Sequence, residues 1–498
     1  MRNVLLAAMV LALPLFAGDD DGPCGQLPEG KPQRIKGGES FPPLPLPATP
    51  LRRTERKREP APPTLIGKVV WGQNRVKTLP DGRKQSWADW NLDPNDVHRL
   101  LKVTNGKLGV RYRAVTLYLK AFSFDPCEIP ILYFTGRQPL DLDEAYVAKL
   151  RAYVLAGGYV WGDACHGSAE FAGSFRAIMA RAFPDLPMRR LAADHPIFWC
   201  QYACDKLHYS QKVTDRPAGD PVLEGLYVGC RTAVILSPYD LSCAWDSSHC
   251  DPEAKCVLDT DAFNLGMNMV SYCMAYFPLG RAIARARELS QDTTDAPGDF
   301  VFAQVRHAGL WDPDPGAFAN LVKDVIAQTN TRVNVERKAI SLADPALANY
   351  PFLYMTGHDM FALSKEEVDG LSRFLHNGGF LLVDACCGSL EFDASFRAVM
   401  KQVLPEKDLA RLPKDHPVFS SHTPVPQVAY TDRVLANFPG LAEPYLEGID
   451  LDGTTRVLYS RFDLGCGWEG EDHPWASGVR ADDAMKIGIN AVVYALTH

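Results

Sequence analysis

The chain has 498 residues, of which 46% are hydrophobic, and its formal net charge is −8 at pH 7. This length and apolar content suit roughly two to four domains with ordinary buried cores. The acidic balance, without a long block of Lys or Arg, argues against nucleic acid or an anionic membrane surface as the main partner.

The first residues have the pattern of an export signal, predicted at residues 1–17. Arg2 supplies a positive charge, residues 4–16 form an apolar run, and Ala17 is a small residue at which cleavage can occur. The run is shorter than the ~20 residues that span a bilayer. We therefore expect an exported protein, periplasmic or extracellular, with no membrane span after cleavage; the alternative is a retained N-terminal anchor.

Residues 18–66 are rich in proline and charge, which predicts a disordered linker. The apolar run Lys68–Trp71 then predicts a strand, and Asp93-Pro94 begins a predicted helix. Further strands are predicted at residues 115–119, 129–134, 159–161, 226–228 and 233–236, and further helices at 141–156, at 168–183 and around Gly266–Tyr272. Strands that alternate with helices in this way predict a mostly parallel sheet covered on both faces.

The second half of the chain repeats the first. The nonamer DACHGSAEF at residues 163–171 returns 221 residues later as DACCGSLEF at residues 384–392. A repeat of this length indicates a duplicated globular domain and not a solenoid. We predict copy one at residues 67–280, a linker at 281–299 and copy two at 300–498.

Each copy resembles the bacterial domain-of-unknown-function family 4159. The resemblance is carried by the motifs at residues 352–355, 378–381, 415–417, 463–465 and 488–490. It implies an α/β fold, namely two tandem flavodoxin-like sandwiches of three layers, similar to class I glutamine amidotransferases, with mostly parallel sheets. It implies no established activity, so function has to be argued from the site.

In a fold of that kind, the strand ending at Cys386 carries the nucleophile elbow, and Cys165 is its twin. A thiol at a helix N-terminus is favoured as thiolate by the partial positive charge there. Six residues thereby become candidates for nucleophile, base or orienting acid: Cys165, Glu170, His195, Cys386, Glu391 and His416. The structural alternatives are a small buried Cys, a helix-stabilising Glu and a local Asp-His-Pro turn.

The loops at the carboxyl edge of a parallel sheet are where ligands bind in open α/β folds. Backbone amides after two of the predicted strands could form an oxyanion hole, and a Trp beside an Asp suits a sugar. The predicted ligand-binding residues are Gly136, Arg137, Asp163, Asp240, Trp245, Gly357, His358, Asp384, Asp463 and Trp468. The alternative is that both Trp side chains only cover the edge of the sheet.

Thirteen cysteines are present, and nine of them lie between Cys127 and Cys273. Cys200 and Cys204 with His208, or Cys250 and Cys256 with His249, could suggest zinc. Export favours disulfides instead, so we predict one or two disulfides, no metal and no cofactor.

Three hypotheses of function remain. The first, which we predict, is an exported non-catalytic ligand-binding or interaction module, with a polar small molecule or carbohydrate as ligand or an envelope protein as partner. The second is a thiol hydrolase or amidase that uses the strand–turn–helix cysteine. The third is a structural envelope protein stapled by disulfides.

Overall fold

Two seven-stranded sheets, one in each copy, organise the described part of the chain. The computed structural model describes residues 61–289 and 300–498, apart from residues 215, 217, 248–249, 330–332 and 471–472. The predicted signal and nearly all of the predicted linker at 18–66 lie outside the described residues.

Copy one contains nine strands and five helices in its described residues. They are β1 (Thr64–Val70), β2 (Arg75–Thr78), β3 (Lys84–Trp87), α1 (Asp96–Leu108), β4 (Arg113–Tyr118), β5 (Ile131–Gly136), α2 (Glu144–Leu155), β6 (Tyr159–Ala164), α3 (Ala169–Ala182), β7 (Arg189–Arg190), β8 (Glu224–Val228), β9 (Arg231–Ser237), α4 (Ser242–Asp246) and α5 (Asp259–Leu289). Helix α5 thus continues beyond residue 280, where the sequence predicts that copy one ends.

Copy two repeats this order without the small hairpin β2–β3 and with one additional short helix, α9. Its elements are β10 (Phe300–Arg306), α6 (Ala317–Gln328), β11 (Val333–Ser341), β12 (Phe352–Gly357), α7 (Lys365–His376), β13 (Phe380–Ala385), α8 (Leu390–Val403), β14 (Ala410–Arg411), α9 (Asp432–Asn437), β15 (Glu447–Leu451), β16 (Thr454–Ser460), α10 (Gly465–Glu469) and α11 (Ala481–Thr497). Residues 61–498 form one compact unit.

The strand order confirms the predicted fold class. In copy one, the sheet runs β4-β1-β5-β6-β9-β8-β7, and the first five of these strands are parallel. Strand β8 is antiparallel to both of its neighbours. Copy two repeats the order as β11-β10-β12-β13-β16-β15-β14. Counting only the parallel strands, the order is 2-1-3-4-5, as in flavodoxin-like sheets.

Each sheet is covered by helices on both faces. In copy one, Tyr133 of β5 packs in a core with α1, α4 and α5. Its neighbours Leu132 and Phe134 point the other way, into a core with α2 and α3, because successive side chains of a strand alternate between faces. All six residues of β5 and of β6 are buried, which explains their continuous apolar sequence.

Among the described residues, no helix combines the length and the apolar character needed to cross a bilayer.

Candidate functional site at the junction of the two copies

A strained turn joins strand to helix at the predicted elbow of each copy. Cys387 has φ 54° and ψ 11°, and its counterpart His166 has φ 56° and ψ 15°. A side chain in the left-handed region costs free energy that the surrounding structure must offset. The residue in the elbow conformation is therefore the one after the predicted nucleophile, and only in copy two is it a cysteine.

Buried carboxylates hold both turns in place. Asp463 accepts hydrogen bonds from the backbone amides of Cys387 and Cys466. In copy one, Asp240 accepts from the amide of His166 at 2.6 Å. These two carboxylates, predicted to bind ligand, are thus occupied by the backbone of their own domains, which stabilises the strained turns.

The predicted nucleophiles are poorly placed for reaction. Cys165 and Cys386 are both buried. A hydrogen bond with Cys243, followed by burial, raises the pKa of the Cys165 thiol, and burial raises the pKa of Cys386. Neither thiol has the exposed, easily ionised character that a nucleophile requires.

The predicted bases are tied to threonines and not to these cysteines. His195 Nε2 lies 2.8 Å from Thr232 Oγ1, and His416 Nε2 lies 3.0 Å from Thr455 Oγ1. Glu170 and Glu391 are exposed in the first turns of α3 and α8. Each Asp-His-Pro motif is therefore a local turn, and no described triad links these six candidates.

The predicted oxyanion-hole amides already have acceptors. The amide of Arg137, next to Gly136, donates to Asp89 Oδ2 at 2.8 Å. In copy two, the amide of His358, next to Gly357, donates to the carbonyl of Gly309 at 3.3 Å. Donors satisfied inside the protein are not available to a developing oxyanion.

Both predicted Trp residues, and the predicted ligand-binding residues Asp163 and Asp384, belong to the core. The indoles of Trp245 and Trp468 are buried and donate to the carbonyls of Ala262 and Ala484, both at 2.8 Å. The neighbouring carboxylates Asp163 and Asp384 each accept two backbone amides at the start of a short helix. The four side chains therefore support the sheet edge, as in the structural alternative.

Four cysteine sulfurs meet where the copies touch, and we call this group the sulfur cluster: Cys230, Cys386, Cys387 and Cys466. All four Sγ atoms lie within 4.8 Å of one another. Cys230 comes from copy one, at the tip of the β8–β9 hairpin, and the other three come from copy two. The Sγ–Sγ distances from Cys230 are 3.1 Å to Cys386 and 3.8 Å to Cys466.

Two further polar side chains, Asp314 and His473, lie beside the sulfur cluster. Asp314 Oδ1 is 2.8 Å from Cys230 Sγ. The His473 side chain is 2% exposed, and its Nε2 lies 3.9 Å from Asp314 Oδ1. Neither ring nitrogen of His473 has a hydrogen-bond partner among the described residues.

A cleft opens beside the sulfur cluster, and we call it the junction cleft. Its cavity volume is about 100 Å³. One wall comes from copy one, including His195, Trp199 and Tyr272, and the other comes from copy two, including Cys387 and Trp475.

Aromatic rings from both copies line the cleft. Trp475 stacks on Tyr272 with ring centroids 5.9 Å apart and an angle of 11°. Trp199 meets Trp475 edge to face at 6.4 Å. Arg433 places its guanidinium 4.0 Å from the centroid of the Trp199 ring.

Charged groups complete the lining. Arg189 pairs with Asp359 at 2.8 Å, a contact that joins the two copies. Burial lowers the pKa of His358, but attraction to Asp359 and Cys387 outweighs burial and raises this pKa to about 10. Hydrogen bonds from the other three thiols lower the pKa of Cys387. His358 and Cys387 thus favour opposite charges on the floor of the cleft.

The sequence reasoning missed the sulfur cluster, although the sequence contains a clue to it. Cys165 and Cys386 occupy equivalent positions in the repeat, and so do Cys243 and Cys466. Two such pairs indicate that the cysteines of each copy meet. The arrival of Cys230 depends on how the copies pack, which no motif within one copy describes.

One disulfide joins Cys250 to Cys256, and the other cysteines in the described ranges are free thiols. The prediction of at least one disulfide is therefore confirmed. The bond also removes Cys250 and Cys256 from the zinc alternative considered for them.

Comparison with known proteins identifies one family. The family model described as a domain of unknown function (DUF4159) matches residues 78–274 and again residues 301–496. The first match begins after β1 and ends within α5, and the second spans nearly all of copy two. No curated protein matches the chain.

Proposed function

The chain belongs to the DUF4159 family in two tandem copies, and on that premise we propose that it is an exported protein that binds a polar small molecule in the junction cleft. The strongest support is that the two walls of the cleft come from different copies. Ligand sites occur preferentially between domains, where a concave surface forms without opening either core.

The lining favours a ligand with a ring. Trp199 and Trp475 supply partly exposed ring surface from the two copies, and the buried rings of Tyr272 and Tyr276 pack against Trp475. Aromatic faces pack against the apolar faces of sugars and planar rings, while their polar tips can still form hydrogen bonds. A carbohydrate is the ligand class that best combines these contacts.

Arg433 supports an acidic group on the ligand. Its guanidinium lies over Trp199, and no carboxylate forms an ion pair with it among the described residues. The ring holds the guanidinium in place, and its planar donors suit a carboxylate or a phosphate. We therefore propose an acidic carbohydrate as the first ligand to test.

Export is part of the proposal. The apolar N-terminal run supports it, and so does the Cys250–Cys256 disulfide, because such bonds persist mainly outside the reducing cytosol. Mass spectrometry of the protein from fractionated cells tests this: an N-terminus near residue 18 in a non-cytoplasmic fraction is expected. An intact Met1 in the cytoplasmic fraction would contradict export.

The binding test is a titration of the purified protein with neutral and acidic oligosaccharides, followed by calorimetry and Trp fluorescence. For acidic sugars, we expect Arg433→Gln to weaken binding roughly tenfold to hundredfold, as for loss of a charged hydrogen bond. Trp475→Leu should weaken both sugar classes. The matched control is Arg411→Gln, which removes a guanidinium over Tyr445, outside the cleft. Equal binding by wild type and both cleft variants would refute the proposal.

A thiol hydrolase is the second candidate, now with Cys387 in the place predicted for Cys386. Its support is the left-handed conformation of Cys387 at the N-terminal end of α8, a geometry used by nucleophile elbows. Incubation of the protein with amide and ester derivatives of any bound sugar separates the two functions. A binding protein returns them unchanged, whereas a hydrolase releases product that chromatography detects.

A further inference from the structure

The spacing of the sulfur cluster matches the coordination sphere of one metal ion. Zinc bound by thiolates has Zn–S distances of about 2.3 Å, which in a tetrahedron separates the sulfurs by about 3.8 Å. Cys230 Sγ and Cys466 Sγ are 3.8 Å apart, Cys386 and Cys387 are 3.8 Å apart, and Cys387 and Cys466 are 3.6 Å apart. Cys230 and Cys386 are closer, at 3.1 Å, and the two remaining pairs lie within 4.8 Å.

We propose that Cys230, Cys386, Cys387 and Cys466 bind a single zinc ion that joins copy one to copy two. Thiolates are soft ligands that select zinc over magnesium or calcium, and a closed set of four fits a structural site. Binding releases the thiol protons to solvent and involves no change of oxidation state. Three of the four residues are buried, so the ion would be shielded from competing ligands.

His473 is independent evidence for a bound group. Neither nitrogen of this buried imidazole has a hydrogen-bond partner among the described residues, and the carboxylate of Asp314 lies 3.9 Å away, beyond hydrogen-bond distance. Together with Asp314, Cys230 and Cys466, its ring forms a second group of donors within 4.8 Å. A zinc tetrathiolate carries net negative charge, and His473 lies where an N–H donor can offset that charge and orient the sulfurs.

Two disulfides are the main competing explanation of the cluster. Pairing Cys230 with Cys386 and Cys387 with Cys466 would use all four sulfurs, but it would leave both ring nitrogens of His473 without a hydrogen-bond partner, with the Asp314 carboxylate 3.9 Å away. An iron–sulfur cluster places several iron and sulfide atoms between its cysteines. The sulfur separations here suit one ion better than such a cluster.

The position of Cys230 gives the ion a role in assembly. Its hairpin tip reaches copy two at Asp314, and Gly229 approaches so closely that an added Cβ would lie 2.9 Å from the carbonyl of Pro313. The other three ligands lie on copy two, at the elbow and on α10. One ion would thus fix the tip of copy one against the floor of the junction cleft.

Cobalt titration of the full chain under reducing conditions tests the site without any knowledge of the ligand. We expect one cobalt per chain, with the strong sulfur-to-metal charge-transfer band of a tetrathiolate, and displacement by one zinc. Cys466→Ser should lower metal affinity by more than roughly a hundredfold, and His473→Gln by roughly tenfold to hundredfold. The matched control is Cys127→Ser, which removes an exposed thiol elsewhere in copy one and should bind as wild type does.

The wild-type titration keeps the test decisive even if a variant fails to fold. No tight cobalt or zinc site in the reduced wild type would overturn the proposal. So would peptide mapping of protein isolated from its native compartment, if it found Cys230 disulfide-bonded to Cys386. Sugar binding is measured separately, so failure of the metal site and failure of the cleft proposal can be told apart.

Discussion

His195 gives a sharp prediction of pH dependence. Its ring is 5% exposed, its Nδ1 accepts the amide of Ile197 at 3.2 Å, and its Nε2 lies near Thr232 Oγ1. A ring nitrogen that accepts a hydrogen bond cannot carry a proton, so the fold requires the neutral imidazole. Burial, with His358 nearby, lowers the pKa of His195 to about 3.

The direction in which stability changes with pH follows from proton binding. An unfolded histidine has a pKa of about 6.5, so between roughly pH 6.5 and pH 3 the unfolded chain binds a proton that the folded chain does not. The stability contributed by His195 is therefore complete above pH 6.5 and is lost as the pH falls. At pH 5, the loss is about 2 kcal/mol, since each pH unit below 6.5 costs about 1.4 kcal/mol.

The assay is urea unfolding of wild type and His195→Asn at pH 7 and pH 5, monitored by circular dichroism. Asparagine can still cap the turn at Ile197 but does not titrate. The drop in the free energy of unfolding between the two pH values should be about 2 kcal/mol smaller in the variant. His416→Asn is the control in copy two: its imidazole is half-buried, so a smaller difference is expected. Equal drops in wild type and His195→Asn would refute the reasoning.

Three further predictions concern stability and are measured by the same unfolding assay. Gly379→Ala places a Cβ 2.3 Å from an aromatic ring of α7 and should lower the free energy of unfolding by about 2 kcal/mol. The control is Gly106→Ala, which has open space around it in α1 and should be neutral or stabilising. Lys68→Met strands the buried carboxylate of Asp96 and should cost about 3–5 kcal/mol, much of it recovered when Asp96→Leu is added. Asp240→Ala leaves two backbone amides and two side-chain donors without their acceptor and should cost about 3 kcal/mol. A loss under 0.5 kcal/mol for Gly379→Ala, Lys68→Met or Asp240→Ala would contradict the corresponding contact.

The fold could be predicted because the relevant information is local and occurs twice. Apolar runs such as Tyr159–Trp161 and the Gly-Gly stops recur in both copies, so each predicted element supported its twin. The structure adds the reason for the second glycine of each pair: Tyr153 covers Gly158 in copy one, and Phe374 covers Gly379 in copy two. Packing of this kind is not visible in a motif.

The site was harder to predict because it depends on which way individual side chains point and on contacts between the two copies. Cys386 and Cys387 are adjacent in sequence, and only the backbone conformation decides which of them takes the elbow position. Trp245 is a residue type that commonly stacks against sugars, yet its indole faces the core. Cys230 has no cysteine partner within its own copy at the hairpin tip, and its environment is set by the other copy.

The contact made by the hairpin tip is head-to-tail: a tip of one copy meets the elbow of the next. Contacts of this type leave one unmatched tip and one unmatched elbow at the ends of a row of like domains, so in principle they can propagate into chains. In copy two, however, the corresponding tip is Asp452-Gly453, which has no sulfur to offer. A row joined through the proposed sulfur cluster would therefore end at two members.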